Sequence, residues 1–250
     1  MSAKDTTKDA TSGVGRWPIA RLLFTEHVPF LSLAVAAIAV LVLLITFAIA
    51  LFAGDLTRSA WNIAMNVVRW LALGYGVYLA GDLLRVCVAH GHTRREFLGQ
   101  VTTFMTVASA AVAVLLTLGY PLEALLYRAM GWRHAFGDDH LFTSADQLGL
   151  IFVSMWALVG VGVVAGAFLS AGFNRGDGSW GLFMVPLAVL LLGAVAAVID
   201  LGQVPFLGRF LRPAELPLAG SVAVCAGSFV AGVAATWALV RDIPIKASSA

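Results

Sequence analysis

Residues 31–52 read LSLAVAAIAVLVLLITFAIALF, a stretch without one charged side chain. About 20 apolar residues carry a helix across the hydrocarbon core of a bilayer. Backbone polar groups in hydrocarbon must be satisfied within the segment or by a closed barrel, and a barrel strand alternates apolar with polar residues over about ten positions. Residues 31–52 do not alternate, so they predict a spanning helix. Together with this one, apolar runs of similar size lie at about 30–53, 66–88, 98–120, 147–171, 181–199 and 217–240. The expected fold is an all-α integral membrane protein of six transmembrane helices, with short interfacial elements and both termini cytoplasmic.

Composition agrees with that expectation. Hydrophobic residues make up 60% of the chain and charged residues 12%, with a mean hydropathy of +0.90; a soluble domain carries about a quarter charged residues. The net charge of +2 gives no footing for a nucleic-acid partner. Cys87 and Cys225 both fall in expected spans, with no spacing of a metal knuckle or disulfide framework. Arginine outnumbers lysine 13 to 3, which with the alanine, valine, leucine and glycine excess is associated with GC-rich bacterial genomes. The expected location is therefore a bacterial cell membrane.

Three regions follow: a cytoplasmic N-terminal segment at 1–29, a six-helix transmembrane domain at 30–241 and a cytoplasmic tail at 242–250. The first apolar run is longer than the 7–15 residues of a signal-peptide core, so an uncleaved first helix is expected. On the side of the termini the sequence places Lys4, Lys8, Arg16, Arg21, Arg85, Arg94, Arg95, Arg175, Arg241 and Lys246, ten cations in all. The other side has six, namely Arg58, Arg69, Arg128, Arg133, Arg209 and Arg212. Ten against six favours cytoplasmic termini under the positive-inside rule. Segment 17–29 mixes Trp17, Leu22, Leu23 and Phe24 with Arg16 and Arg21 and suits a short interfacial helix; 201–216, bounded by Pro205 and Pro213, suits another on the outer side. The longest connection is expected at about 121–146, carrying Glu123, Arg128, Arg133, Asp138, Asp139 and Asp146.

The motifs of several chemistries are missing. There is no Gly-x-x-x-x-Gly-Lys-Ser/Thr phosphate loop, no His-Glu-x-x-His helix and no Gly-x-Ser-x-Gly turn. Ser109 and Ser228 lie in expected helices with no intramembrane histidine as their base, and such serines bond their own backbone. His90 and His92 are expected on the cytoplasmic side and His134 and His140 outside, so they do not form one metal site; Asp138-Asp139-His140 reads as a solvated loop. Asp82 and Arg85, three apart, fit an ion pair on one helix face. Arg69, beside Trp70, and Asp200, at the end of the fifth span, are each either boundary residues or part of a substrate path. Gly162-x-x-x-Gly166 and Gly227-x-x-x-Ala231 allow close helix approach, within the chain or between copies.

The most specific local feature is Ala89-His90-Gly91-His92-Thr93-Arg94-Arg95-Glu96-Phe97-Leu98. A glycine at 91 can end one helix, Thr93 can cap the next, and Glu96 completes a capping-box spacing. The turn then forms a tight, basic hairpin tip, which could be no more than a topological anchor in the headgroups. Here the chain resembles the six-helix, type-2 permease subunits of ATP-binding-cassette exporters, which commonly carry Gly-x-Thr-Arg-Arg-x-Phe after their second helix. Glu123-Ala124-Leu125-Leu126 with Gly131-Trp132, and Asn174-Arg175-Gly176 with Gly181-Leu182, extend the resemblance over roughly residues 28–241.

The resemblance implies that the turn couples the permease to a separate ATPase subunit through Gly91, Thr93, Arg94, Arg95 and Phe97, with Phe97 as aromatic anchor and the arginines meeting acidic groups. It also implies a second permease copy, identical or homologous. No cofactor is expected in this chain: ATP and Mg belong to the partner ATPase, and the chain itself is not an enzyme. The rival reading is a non-transporting scaffold or sensor subunit that anchors a soluble partner.

Overall fold

The structure, a computed structural model, describes residues 17–53, 59–132, 141–175, 179–199 and 216–241. Most of the described residues are helical and none is in a strand, and they form six helices long and apolar enough to cross a membrane. These are α1 (Pro18–Ala53), α2 (Trp61–Ala89), α3 (Arg94–Met130), α4 (Leu148–Phe173), α5 (Ser179–Ile199) and α6 (Leu218–Val240). The arrangement is that of a multi-pass membrane protein.

At the centre stands α4, which packs against α2, α3, α5 and α6. Its run from Leu158 to Phe168 is buried throughout, and its sequence explains how. Small residues on α2 and α4 let the two backbones approach until side chains no longer separate them. A Cβ added to Gly166 would meet the Leu73 carbonyl oxygen at 1.9 Å, and one added to Gly76 would meet that of Val163 at 1.9 Å. Close approach of this kind replaces the hydrophobic force that lipid cannot supply between apolar helices. The Gly162-x-x-x-Gly166 spacing therefore serves packing within the chain. Gly227, by contrast, faces open space.

Two boundaries depart from the sequence expectation. The interfacial helix expected at 17–29 is instead the first turns of α1, which continues through Pro29 to Ala53. Proline removes one backbone donor, a loss that membrane helices tolerate. Likewise α3 does not stop at residue 120; it runs through Pro121 to Met130, so the connection that follows begins at Gly131, in the left-handed region at φ 72°. At 37 residues α3 is about 55 Å long, well beyond the ~30 Å hydrocarbon core. The interfacial element expected at 201–216 lies, but for its last residue, outside the described residues, as do Asp138, Asp139, His134 and His140.

Candidate functional site

The hairpin between α2 and α3 is built by two caps. Gly91 stands at φ +86° with open space around it, so backbone conformation rather than crowding calls for glycine there. The amides of His92 and Gly91 donate back to the carbonyls of Cys87, at 3.1 Å, and Val88, at 3.0 Å, closing the last turn of α2. Thr93 then opens α3 with a complete capping box. Its Oγ1 accepts from the Glu96 amide at 3.2 Å, and Glu96 Oε2 accepts from the Thr93 amide at 3.1 Å. Both expectations drawn from Gly91 and from the Thr93–Glu96 spacing hold.

The three other expected residues of the tip part company. Arg95 is exposed. Arg94 donates to the Val240 carbonyl at 3.3 Å and to that of Arg241, so its guanidinium closes the end of α6, where carbonyls lack helical partners. Phe97 is only 1% exposed and belongs to the same core as Leu23, Leu84 and Val101. The surface-anchor reading of Phe97 is therefore corrected: counting along α3 from the Thr93 cap turns this position toward the bundle. One turn further, Gln100 Oε1 accepts from the amides of Ile19, at 2.9 Å, and Ala20, at 3.0 Å. Those are orphan donors at the start of α1, and the buried amide of Gln100 caps them from another helix. The tip thus joins the ends of α1, α2, α3 and α6 into one unit. Of the eight arginines among the described residues, Arg21, Arg85, Arg94, Arg95, Arg175 and Arg241 lie toward this end, against Arg69 and Arg128.

Asp82 and Arg85 do not pair. A π-helical turn at Leu79–Leu83 shifts the register of α2, and Arg85 donates instead to the Asn174 side chain at the end of α4. Above the tip, within the continuous α1, His27 lies 3.0 Å from the Tyr75 hydroxyl and rests among the rings of Tyr75, Tyr78 and Phe104. His27 thus lies inside a helix long and apolar enough to cross a membrane, and its partners are aromatic rings and the Tyr75 hydroxyl rather than Ser109 or Ser228. Nothing in the sequence near His27 marks it; only the continuity of α1 through Pro29 makes it part of the same helix.

At the opposite end Glu123 is 4% exposed rather than in a loop. Its carboxylate accepts from the Ala60 amide at 2.7 Å, the Trp61 amide at 2.9 Å and the Ser59 hydroxyl, capping α2 from α3. Carboxylates at helix N-termini are favoured by the unpaired amides and the dipole. Trp61 seals the joint: its Nε1 donates to the Leu116 carbonyl at 2.9 Å, and a Cβ on Gly119 would lie 2.0 Å from its indole. Arg69 lines a small recess with Trp70, Leu73 and Leu192, and with Asn62 and Asn66 it forms a polar stripe at helical spacing along α2. Asp200, the other residue expected on a substrate path, lies outside the described residues. Among the described residues no group of histidine, cysteine, aspartate and glutamate could hold a metal ion. Comparison with protein-family models, with curated proteins and with solved structures finds no match.

Proposed function

We propose that this chain is the transmembrane permease subunit of an ATP-binding-cassette exporter, working in a bacterial cell membrane with a second permease copy and a separate ATPase subunit. ATP and Mg bind in that partner, and this chain carries no catalytic residue. The observation that supports the reading best is the hairpin tip: a rigidly capped turn at Gly91 and Thr93, exposing Arg95 and tied through Arg94 and Gln100 to α6 and α1. A push on such a turn reaches four helices through hydrogen bonds rather than through a loop. That is the mechanical need of a permease whose energy source is another protein.

In this reading the tip and both termini are cytoplasmic, as the crowding of arginines at this end supports. Arg95 meets acidic groups on the ATPase as a charge-paired contact. Phe97 and Gln100 hold the tip in place from beneath and act as positioning residues.

Copurification tests docking at the tip, and ATP-dependent solute movement decides between permease and scaffold. With an ATP-binding-cassette ATPase coexpressed, the wild-type chain retains the ATPase, whereas Arg95→Glu, with its reversed charge, loses at least about tenfold in association. Unchanged recovery of the ATPase with Arg95→Glu contradicts docking at the tip. Recovery of the complex without ATP-dependent solute movement in vesicles favours the scaffold.

A further inference from the structure

We infer that the groove between α4, α5 and α6 binds one acyl chain of an anionic glycerophospholipid, whose headgroup lies beside Arg175 and Arg241. The groove measures about 440 Å³. Phe168 of α4 forms its floor, Met184, Leu187 and Leu191 one wall, and Ala231 and Ala238 the other. Leu187 at its rim is 47% exposed, so the groove opens sideways, toward lipid.

Its length fits a single leaflet. From Met184 to Ala194 along α5 the lining spans ten residues, about 15 Å at 1.5 Å per residue, or half of the ~30 Å hydrocarbon core. The groove sits at mid-height on α5, five residues from either end, and on α6 it extends to Leu239, next to the last residue of that helix, so its tip-side end lies along α6. Alanines at 231, 235 and 238 make the α6 wall shallow, leaving room that a leucine would fill.

Charge at its mouth selects the headgroup. Trp180 precedes Met184 by one turn on the same face of α5, and the Arg175 guanidinium lies 5.8 Å from its ring centroid. Arg241 follows Ala238 by three residues on α6, and it is exposed. Indoles favour the headgroup level of a bilayer, and cations beside an anionic leaflet each attract phosphate-bearing lipid. An apolar groove about one leaflet deep, an indole and two cations follow one another along α5 and α6. The inference is separate from the exporter reading, and its test needs no ATPase.

The test uses the full chain, purified in detergent and titrated with dioleoyl phosphatidylglycerol or dioleoyl phosphatidylcholine, with bound lipid counted by native mass spectrometry. One phosphatidylglycerol is retained with a preference on the order of tenfold over phosphatidylcholine. The double variant Arg175→Gln/Arg241→Gln removes the preference, and Ala231→Leu/Ala238→Leu removes retention of both lipids. Ala223→Leu, on exposed α6 outside the groove, changes neither, and unchanged elution and helix content show that each variant folds. Equal retention of the two lipids by the wild type, or undiminished retention after the groove is filled, overturns the inference. So does intermolecular crosslinking of Ala231→Cys in membranes, which would assign the groove to a second copy.

Discussion

A single carboxylate, Glu123, shows how position within the fold changes the meaning of a residue. In the sequence it looks like a loop charge, because the apolar run ends before it and five further charged residues follow within the expected connection. In the structure it is buried and satisfies the hydroxyl of Ser59 and two amides at the start of α2. Removing a cap leaves those donors unpaired, at a cost of about 1–3 kcal/mol. Glu123→Ala is therefore expected to lower the thermal unfolding midpoint in detergent, and Glu123→Gln, which retains a carbonyl acceptor, to lower it less. Equal midpoints for Glu123→Ala and the wild type would remove the cap from the account. Gln100 and His27 belong to the same class. Their partners, the amides of Ile19 and Ala20 and the hydroxyl of Tyr75, are more than 45 positions away in the chain, and nothing local announces them.

Elements were more legible than residues. Six apolar runs gave six helices, and the sequence around Gly91 and Thr93 specified both the end of α2 and the start of α3. Local signals suffice where the structure is local: a left-handed residue and a capping box are complete within eight positions. The boundaries expected at 29 and 120 follow the ends of the apolar runs, and the helices pass them through Pro29 and Pro121 because the backbone of a membrane helix has no solvent to turn to. Glycine pairs were ambiguous for another reason, since the spacing alone does not say which helix lies opposite. The structure separates them. Gly166→Ala forces a Cβ onto the Leu73 carbonyl and should destabilise by roughly 1–3 kcal/mol, whereas Gly227→Ala meets nothing within 4 Å. Thermal midpoints of the two variants check this directly; a larger loss for Gly227→Ala would contradict the packing of α2 on α4.

For the whole molecule, the hairpin tip is the point where local and long-range order meet. Its caps are written in the sequence, but its ties to α1 and α6 through Gln100 and Arg94 arise from tertiary packing, and so does the burial of Phe97. If the chain is the proposed permease, the exposed tip at the end shared by α1, α2, α3 and α6 receives an ATPase subunit. A photo-crosslinking residue in place of Arg95, with a second at exposed Leu125 near the opposite end of α3, tests that claim most directly in cells that coexpress an ATP-binding-cassette ATPase. The account predicts a crosslinked permease–ATPase adduct from position 95 and none from position 125; no adduct from 95, or adducts of equal yield from both, would contradict it.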